Sequence, residues 1–294
     1  MKKQKKILIL RSIYSPIDEK NLHLLTKTPE IELGYYKDLV IDFMSHPKKT
    51  SVSINNVPLE SYKLVYMRTW KKRHLLTRSL AQYLQHHKVI LIDTESLNAT
   101  HGDKLMQYMM FYTHKLPFPK TLYIPRESML KKIELIKKAF KTPFIMKATF
   151  SSKGKDNYLI RDFDSVEKIL TKHDEDEDFL FQEYIPNDFD YRLYVFGYKT
   201  VVAYKRTRSK RSRTHLNNLS QGAEGEEVPL KNIKKLCVLA EKIARISRIE
   251  VCGVDIVENK YTRKPYLFEI NIVPGLSQTT AQMHLKKYLL SLVK

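Results

Sequence analysis

Three oxygen-bearing side chains near the end of the chain, Asp255, Glu269 and Asn271, have the types and the spacing to hold a divalent cation. They fall in two strand-like runs, VCGVDIVEN and KPYLFEINIVPG, joined by a turn near Lys260 to Lys264. Alternation along a strand puts Glu269 and Asn271 on one face, and a hairpin lets Asp255 face them from the partner strand. Magnesium takes one or two carboxylates and leaves its remaining positions to water and substrate phosphates, which suits this set. An ordinary strand pair with solvent-facing acids would show the same pattern, so the three residues alone leave both readings open. No Ser-His-Asp or Cys-His arrangement accompanies them. Cys237 and Cys252 have no partner at metal or redox spacing and are expected as buried thiols.

Around these residues the elements read as an α/β chain. KILIL at 6–10, YKLVYMRTW at 62–70 and HKVILID at 87–93 are strand-like, with a helical stretch from about His74 to His87 between the last two. Helical spacing returns from Asn98 to Lys115, after which LPFPKTLYI is an extended connection. SMLKKIELIKKAF predicts an amphipathic helix, FIMKATF and YLIRD strands flanking SSKGKDN, and SVEKILTK another helix. FLFQEYI, YRLYVFG and KTVVAYKR are strand-like, the last two a hairpin about Gly197, and a long helix is expected from about Leu230 to Ser247.

The chain of 294 residues, 43% hydrophobic and 29% charged, has the composition of a globular enzyme. Its apolar runs, such as those at 7–10 and 89–92, are far too short to span a bilayer, and its basic start lacks a signal-peptide core, so a cytoplasmic location with no membrane role is expected. The net charge of +20 would attract nucleic acid, acidic peptides or nucleotide phosphates, and residues 199–213 hold seven Lys or Arg and no acid. A basic nucleic-acid-binding protein, with Tyr198 and Tyr204 stacking bases, is therefore the alternative reading. It leaves Asp255, Glu269 and Asn271 without a purpose.

Read in order, HGDKLMQ, FIMKATFSSKG, FQEYIPNDFDYRLYVFG, the arginine after AYK, NNLSQGA, CGVDIVE and FEINIVPG resemble the ATP-grasp ligases. The branch is that of ribosomal-protein glutamate ligases, glutathione synthetase and the peptide-macrocyclising ligases. The resemblance implies an α/β, ATP-grasp fold: an N-terminal domain at 1–98 and an ATP-grasp domain at 99–294, with a small α+β lid at about 120–178 and a C-terminal α+β part at about 179–294. It further implies ATP with Mg²⁺, two ions, Mn²⁺ being a substitute, and amide or peptide bond formation through an acyl phosphate. An amino acid or an acidic peptide or protein is the expected substrate; an inactive scaffold of the same fold is disfavoured by the intact metal set.

By the same resemblance, Lys104 and Lys147 neutralise ATP phosphates, and a lysine inside the apolar FIMKATF would be costly without such a role. Ser151, Ser152 and Gly154 match the loop that covers the phosphates. Gln182, Glu183, Tyr184 and Ile185 match the segment that reads adenine and ribose. Asp190 and Arg192 match an Asp-x-Arg pattern whose arginine, with Arg206, holds the transferring group. Asn218 is expected to help fix magnesium or phosphate, and Asp255, Glu269 and Asn271 to ligate the metal. Asp156, Leu216 and Gln221 depart from the family pattern, so lid behaviour and acceptor recognition are expected to differ. Arg68, Trp70 and Arg73 follow a strand end, where substrates often bind in α/β folds.

Overall fold

The computed structural model describes residues 6–11, 21–43, 51–68, 74–98, 103–149, 156–208 and 224–294. Its first sheet is parallel, built from β1 (Ile7–Arg11), β2 (Ile31–Tyr35), β6 (Leu64–Met67) and β7 (Ile90–Ile92) in the order β2-β1-β6-β7. Every residue of β1 is buried because both faces are covered, as continuous apolar runs in parallel strands require. Leu8, Leu10, Val65 and Met67 pack against Leu80, Ala81 and Leu84 of α2 (His74–His86). Ile7, Ile9, Leu64 and Tyr66 face the other way, toward α1 (His23–Thr26) and the C-terminal α7 (Thr279–Ser291). A small antiparallel meander, β3 (Leu39–Asp42), β4 (Ser51–Ile54) and β5 (Val57–Pro58), leans on this layer.

The second large sheet is antiparallel, in the order β10-β9-β11-β8, from β8 (Thr121–Ile124), β9 (Phe144–Ala148), β10 (Asn157–Ile160) and β11 (Phe179–Glu183). One face of it packs on α4 (Ile133–Ala139) and α5 (Asp164–Leu170) through Phe144, Met146, Phe179 and Phe181. The amphipathic helix expected over 128–140 is only partly formed. Two 3₁₀ turns, Arg126–Ser128 and Leu130–Lys132, precede α4, whose N-cap Lys132 has no side-chain cap, and Met129 rather than Leu130 is buried.

The third large sheet, in the order β14-β13-β12-β15-β16, carries most of the candidate residues. It comprises β12 (Phe189–Phe196), β13 (Lys199–Thr207), β14 (Glu224–Glu227), β15 (Val251–Glu258) and β16 (Pro265–Asn271), all antiparallel. The hairpin expected at Gly197 is present, with that glycine at φ 60. Leu193, Val195, Cys252, Val254, Leu267 and Ile270 pack against α6 (Lys234–Ser247), which buries Leu236, Ala240, Ile243, Ala244 and Ser247 on one face. The remaining helix, α3 (Lys104–Thr113), crosses between the second and third sheets. Cys252 is buried as expected, whereas Cys237 is only half-buried, because it lies on the edge of the face that α6 presents; both thiols are free. No described helix is long and apolar enough to cross a membrane.

Candidate active site

Strand register decides which polar side chains of the third sheet meet. Asp190 pairs with Arg206, Arg192 with Asp255, Asp255 with Glu269, and Gly253 with Asn271, so four adjacent strands present one polar row. Glu269 and Asn271 share a face by alternation, and a bulge beside Asp255 absorbs the extra residue of β16. Arg206 is buried and bidentate on Asp190 at 2.7 and 2.8 Å, with Nη2 also 3.1 Å from Asp255 Oδ1. Arg192 is bidentate on Asp255, donating through Nε and, at 2.9 Å, through Nη2. Asn271 Nδ2 lies 3.3 Å from Asp255 Oδ2.

These contacts set the electrostatics of the row. Burial works against the Arg206 charge, but Asp255 and Asp190 outweigh it and hold the guanidinium above its ordinary range. Burial pushes the Asp190 carboxyl up while the facing Arg206 opposes it. Gly253 makes the close crossing possible: a Cβ there would meet Arg192 Nη1 at 2.9 Å and its Cδ at 3.0 Å.

Lys147 stands on the second sheet, buried at the next-to-last position of β9. Its ammonium donates to Tyr108 Oη at 2.7 Å and Gln182 Oε1 at 3.0 Å, and lies 4.7 Å from the Tyr108 ring centroid. Burial lowers its pKa to about 8, with Glu269 pulling the other way. Gln182 is oriented by donating to Thr121 Oγ1 at 2.8 Å. Lys104 begins α3 behind the Asp103 cap and reaches Ala148 O at 3.0 Å, at the end of the strand that carries Lys147. Glu183 accepts from Lys120 N at 2.7 Å, Tyr184 is half-buried, and Ile185 O accepts from Asn187 Nδ2 at 2.7 Å. Ser151, Ser152, Gly154 and Asn218, with Trp70, Arg73, Leu216 and Gln221, lie outside the described residues.

Two residues that the sequence reading passed over connect these parts. Tyr108 accepts from Lys147 and donates to Phe268 O at 3.0 Å, while Gln107 exchanges two hydrogen bonds with the backbone of Ile270 at 2.9 and 3.1 Å. Both lie one helical turn beyond Lys104, at i+3 and i+4 on the same face, which is the signal that could have found them.

The donor chemistry fits a nucleotide with magnesium. Among the described residues no carboxylate pairs with the Lys147 ammonium, which leaves a buried cation suited to a phosphate. No group of three or more His, Cys, Asp or Glu among those residues could hold a metal by itself. Asp255, Glu269 and the Asn271 carbonyl would instead supply the one or two carboxylates and the neutral oxygen that magnesium takes beside phosphates. Both oxygens of Asp255 are engaged, Oδ1 by Arg192 and Arg206 and Oδ2 by Arg192 and Asn271, so its use as a ligand requires one of these donors to turn away.

A model of the RimK-like ATP-grasp domain matches residues 101–292. The chain belongs to the RimK-like ATP-grasp family. A probable alpha-L-glutamate ligase of Vibrio atlanticus (strain LGP32) is 28% identical over 177 residues, which are 59% of this chain and 56% of that protein. The matched region thus spans little more than half of that relative. This ATP-grasp chain also superposes, over 98% and 97% of the two chains, on the ATP-grasp ligase PsnB complexed with minimal precursor, Mg and ADP, at a TM-score of 0.68 and 14% identity. D-alanyl-alanine synthetase A from Vibrio cholerae O1 biovar eltor gives a TM-score of 0.69 at 13% identity, over 100% and 98% of the two chains. The α/β architecture expected for an ATP-grasp ligase is therefore the one observed.

Proposed function

We propose that this ATP-grasp protein is a carboxylate–amine ligase acting on an amino acid or peptide, working through an acyl phosphate. The observation that carries the reading is the meeting of Lys147, on one sheet, with the Asp190, Arg192, Arg206, Asp255, Glu269 and Asn271 row on the next. Lys147 and Lys104 hold the phosphates of ATP, and Gln182 to Ile185 form the adenine side. Ser151, Ser152 and Gly154 are assigned to the covering loop and Asn218 to the phosphate side. Asp255, Glu269 and Asn271 would hold magnesium, which supplies charge neutralisation at the phosphates.

A substrate carboxylate oxygen attacks the γ-phosphorus, and the bond to the ADP oxygen breaks. An amine then attacks the acyl carbon, inorganic phosphate leaves with the bonding pair, and the amine loses a proton. Arg192 and Arg206 stabilise the charge that accumulates on the transferring oxygens. No protein nucleophile is needed, so positioning and charge do the catalysis.

The test is ADP release by the full chain across the amino acids and a set of acidic peptides, with products read by mass spectrometry. An amide product matched in amount by ADP and phosphate is expected. ADP release with no condensed product, or RNA binding that is indifferent to ATP, would overturn the reading.

A further inference from the structure

The second sheet ends in a strand with one open side. Among the described residues β10 pairs with β9 alone, so no other strand matches its outer edge. Ala148 N donates to Asp156 O at 2.9 Å, which fixes the hydrogen-bonded pairs of this ladder at 148/156, 146/158 and 144/160. Leu159 lies between two of these pairs. Its N–H and C=O therefore point away from β9 to the outer edge, where they have no partner among the described residues. An edge of this kind is a template for an added strand.

A cleft of about 600 Å³ runs along β10, between that strand, α5 and the end of β13. Four basic residues line it and no carboxylate does: Arg161 after β10, Lys168 in α5, Lys172 just after that helix, and Arg208 just past β13. Arg161, Lys168 and Lys172 are exposed and have no acidic partner among the described residues. Asp162, the acid nearest to them in sequence, is turned to the start of α5, where it accepts from Ser165 N at 2.9 Å and Ser165 Oγ at 2.8 Å. Ile160 faces α5 with Val166 and Leu170, and Leu159 faces the other way. Lys168 and Lys172 stand on the α5 side, whereas Arg208 arrives from the third sheet, so charge approaches the edge from two directions. Arg208 donates to Asn187 O and lies two residues beyond Arg206 of the polar row, roughly 7 Å along the strand.

We propose that β10 and the cleft beside it form a docking groove for an extended acidic peptide, which adds as a strand to the β10 edge and sets its carboxylates against Arg161, Lys168, Lys172 and Arg208. The edge favours a peptide over a nucleic acid. Leu159 presents both a donor and an acceptor, and a peptide backbone answers both, whereas a phosphate backbone offers acceptors alone and leaves the Leu159 carbonyl unmatched. Lysines beside an open edge also repel a second copy of this cationic chain, so the charge selects which strand is admitted. That the docked peptide is also the substrate rests on the ligase reading above, with the two-residue step from Arg208 to Arg206 as its support.

The full chain is titrated into a fluorescein-labelled Glu-Asp-Glu-Asp-Glu-Asp peptide at about 0.05 M salt, where exposed charges are weakly screened, and binding is read by anisotropy. Three exposed ion pairs at about a factor of two each predict that Arg161→Gln, Lys168→Gln and Lys172→Gln together weaken binding about 5- to 10-fold. The ATP-induced thermal shift should stay unchanged, since none of the three belongs to the polar row. The same peptide N-methylated throughout keeps every carboxylate and loses its backbone donors, so wild type should bind it at least about 5-fold more weakly. Leu159→Pro removes the outward N–H without costing a bond to β9 and should weaken the unmethylated peptide similarly. Unchanged binding by the triple variant would overturn the groove. Equal affinity for the methylated peptide would reduce it to a charge patch and overturn strand addition. Tighter binding of a single-stranded DNA hexamer than of the peptide would give the surface to nucleic acid and overturn the proposal as well. Should the triple variant not fold, Lys168→Gln and Lys172→Gln singly, each expected at about a factor of two, decide together with the methylated peptide on wild type. Peptide binding that follows all these expectations, with no ADP release in ATP and Mg²⁺, would refute the ligase reading and leave the groove in place.

Discussion

Replacing Lys147 by methionine should make the ligand-free protein more stable while removing its grip on ATP. Burial displaces this ammonium from 10.5 to about 8, which corresponds to about 3 kcal/mol against the charged form at neutral pH. Methionine fills a similar volume without that cost. It leaves Gln182 Oε1 without its donor, a loss of about 1–2 kcal/mol, whereas Tyr108 keeps its bond to Phe268 O. The balance is a gain of roughly 1–2 kcal/mol, or a Tm rise of about 2–4 °C per kcal/mol for a protein approaching this size. The folded lysine is harder to protonate than the unfolded one, so wild type carries the penalty below about pH 8 and loses it as pH rises from about 8 to 10.5. The stability advantage of the variant should narrow across that window.

Thermal melts with and without ATP and Mg²⁺ measure both effects together. At an ATP concentration of about 100 Kd, wild type should gain about 2.7 kcal/mol, and the variant should gain little. In wild type, kcat/KM for ATP should fall above about pH 8, as Lys147 loses its proton in the free enzyme. A Lys147→Met protein that melts well below wild type and keeps its ATP shift would refute the reasoning. Lys131→Ala, in a 3₁₀ turn with no buried residue, should change neither quantity.

Glu269→Ala and Asn271→Ala should each abolish ADP formation with the melting temperature nearly unchanged, since both side chains are only half-buried; normal turnover in both would remove the metal assignment. Asp255→Asn should lose activity and also about 3–5 kcal/mol of stability, because it strips the partner from Arg192 and weakens that of Arg206; denaturant titration reads the second effect. Raising salt from about 0.05 to 0.3 M should raise the KM of an acidic peptide strongly and leave that of a neutral amino acid nearly unchanged, and neutralising Arg208, Arg211 and Arg213 together should reproduce it. Normal turnover of every acidic peptide by that triple variant would dissociate the basic segment from substrate capture.

Local alternation made much of the site legible in the sequence. The two-residue spacing of Glu269 and Asn271, and the short turn that returns Asp255 to face them, depend on one hairpin and were readable from it. The Gly197 hairpin was readable for the same reason. What depends on distant pairing was not. Phe179–Glu183 looks like a neighbour of the strand that follows it, yet it pairs with β9 and β8, a partnership no local pattern announces. Arg192 was expected to wait for a phosphate, and instead grips Asp255, because register across β12 and β15 sets them opposite one another. Tyr108 and Gln107 were hidden because their polar atoms find partners only on strands distant in sequence, β16 and β9.

The pairing of the row also separates two uses of charge that composition merges. The net charge is +20, but Asp190, Asp255 and Glu269 stand against Arg192, Arg206 and Lys147, so the polar row is close to balanced. Bidentate contacts are what permit Arg192, Arg206, Asp190 and Asp255 to share so enclosed a space, since each arginine offsets the desolvation of its carboxylate. A balanced row offers little long-range attraction, because opposite charges in contact cancel beyond a Debye length of about 8–10 Å. Attraction of a polyanionic partner must then come from basic residues outside the row, and selectivity at the row from geometry. Salt should accordingly act on substrate capture far more than on the chemical step, and a salt effect on kcat as large as that on KM would contradict this division.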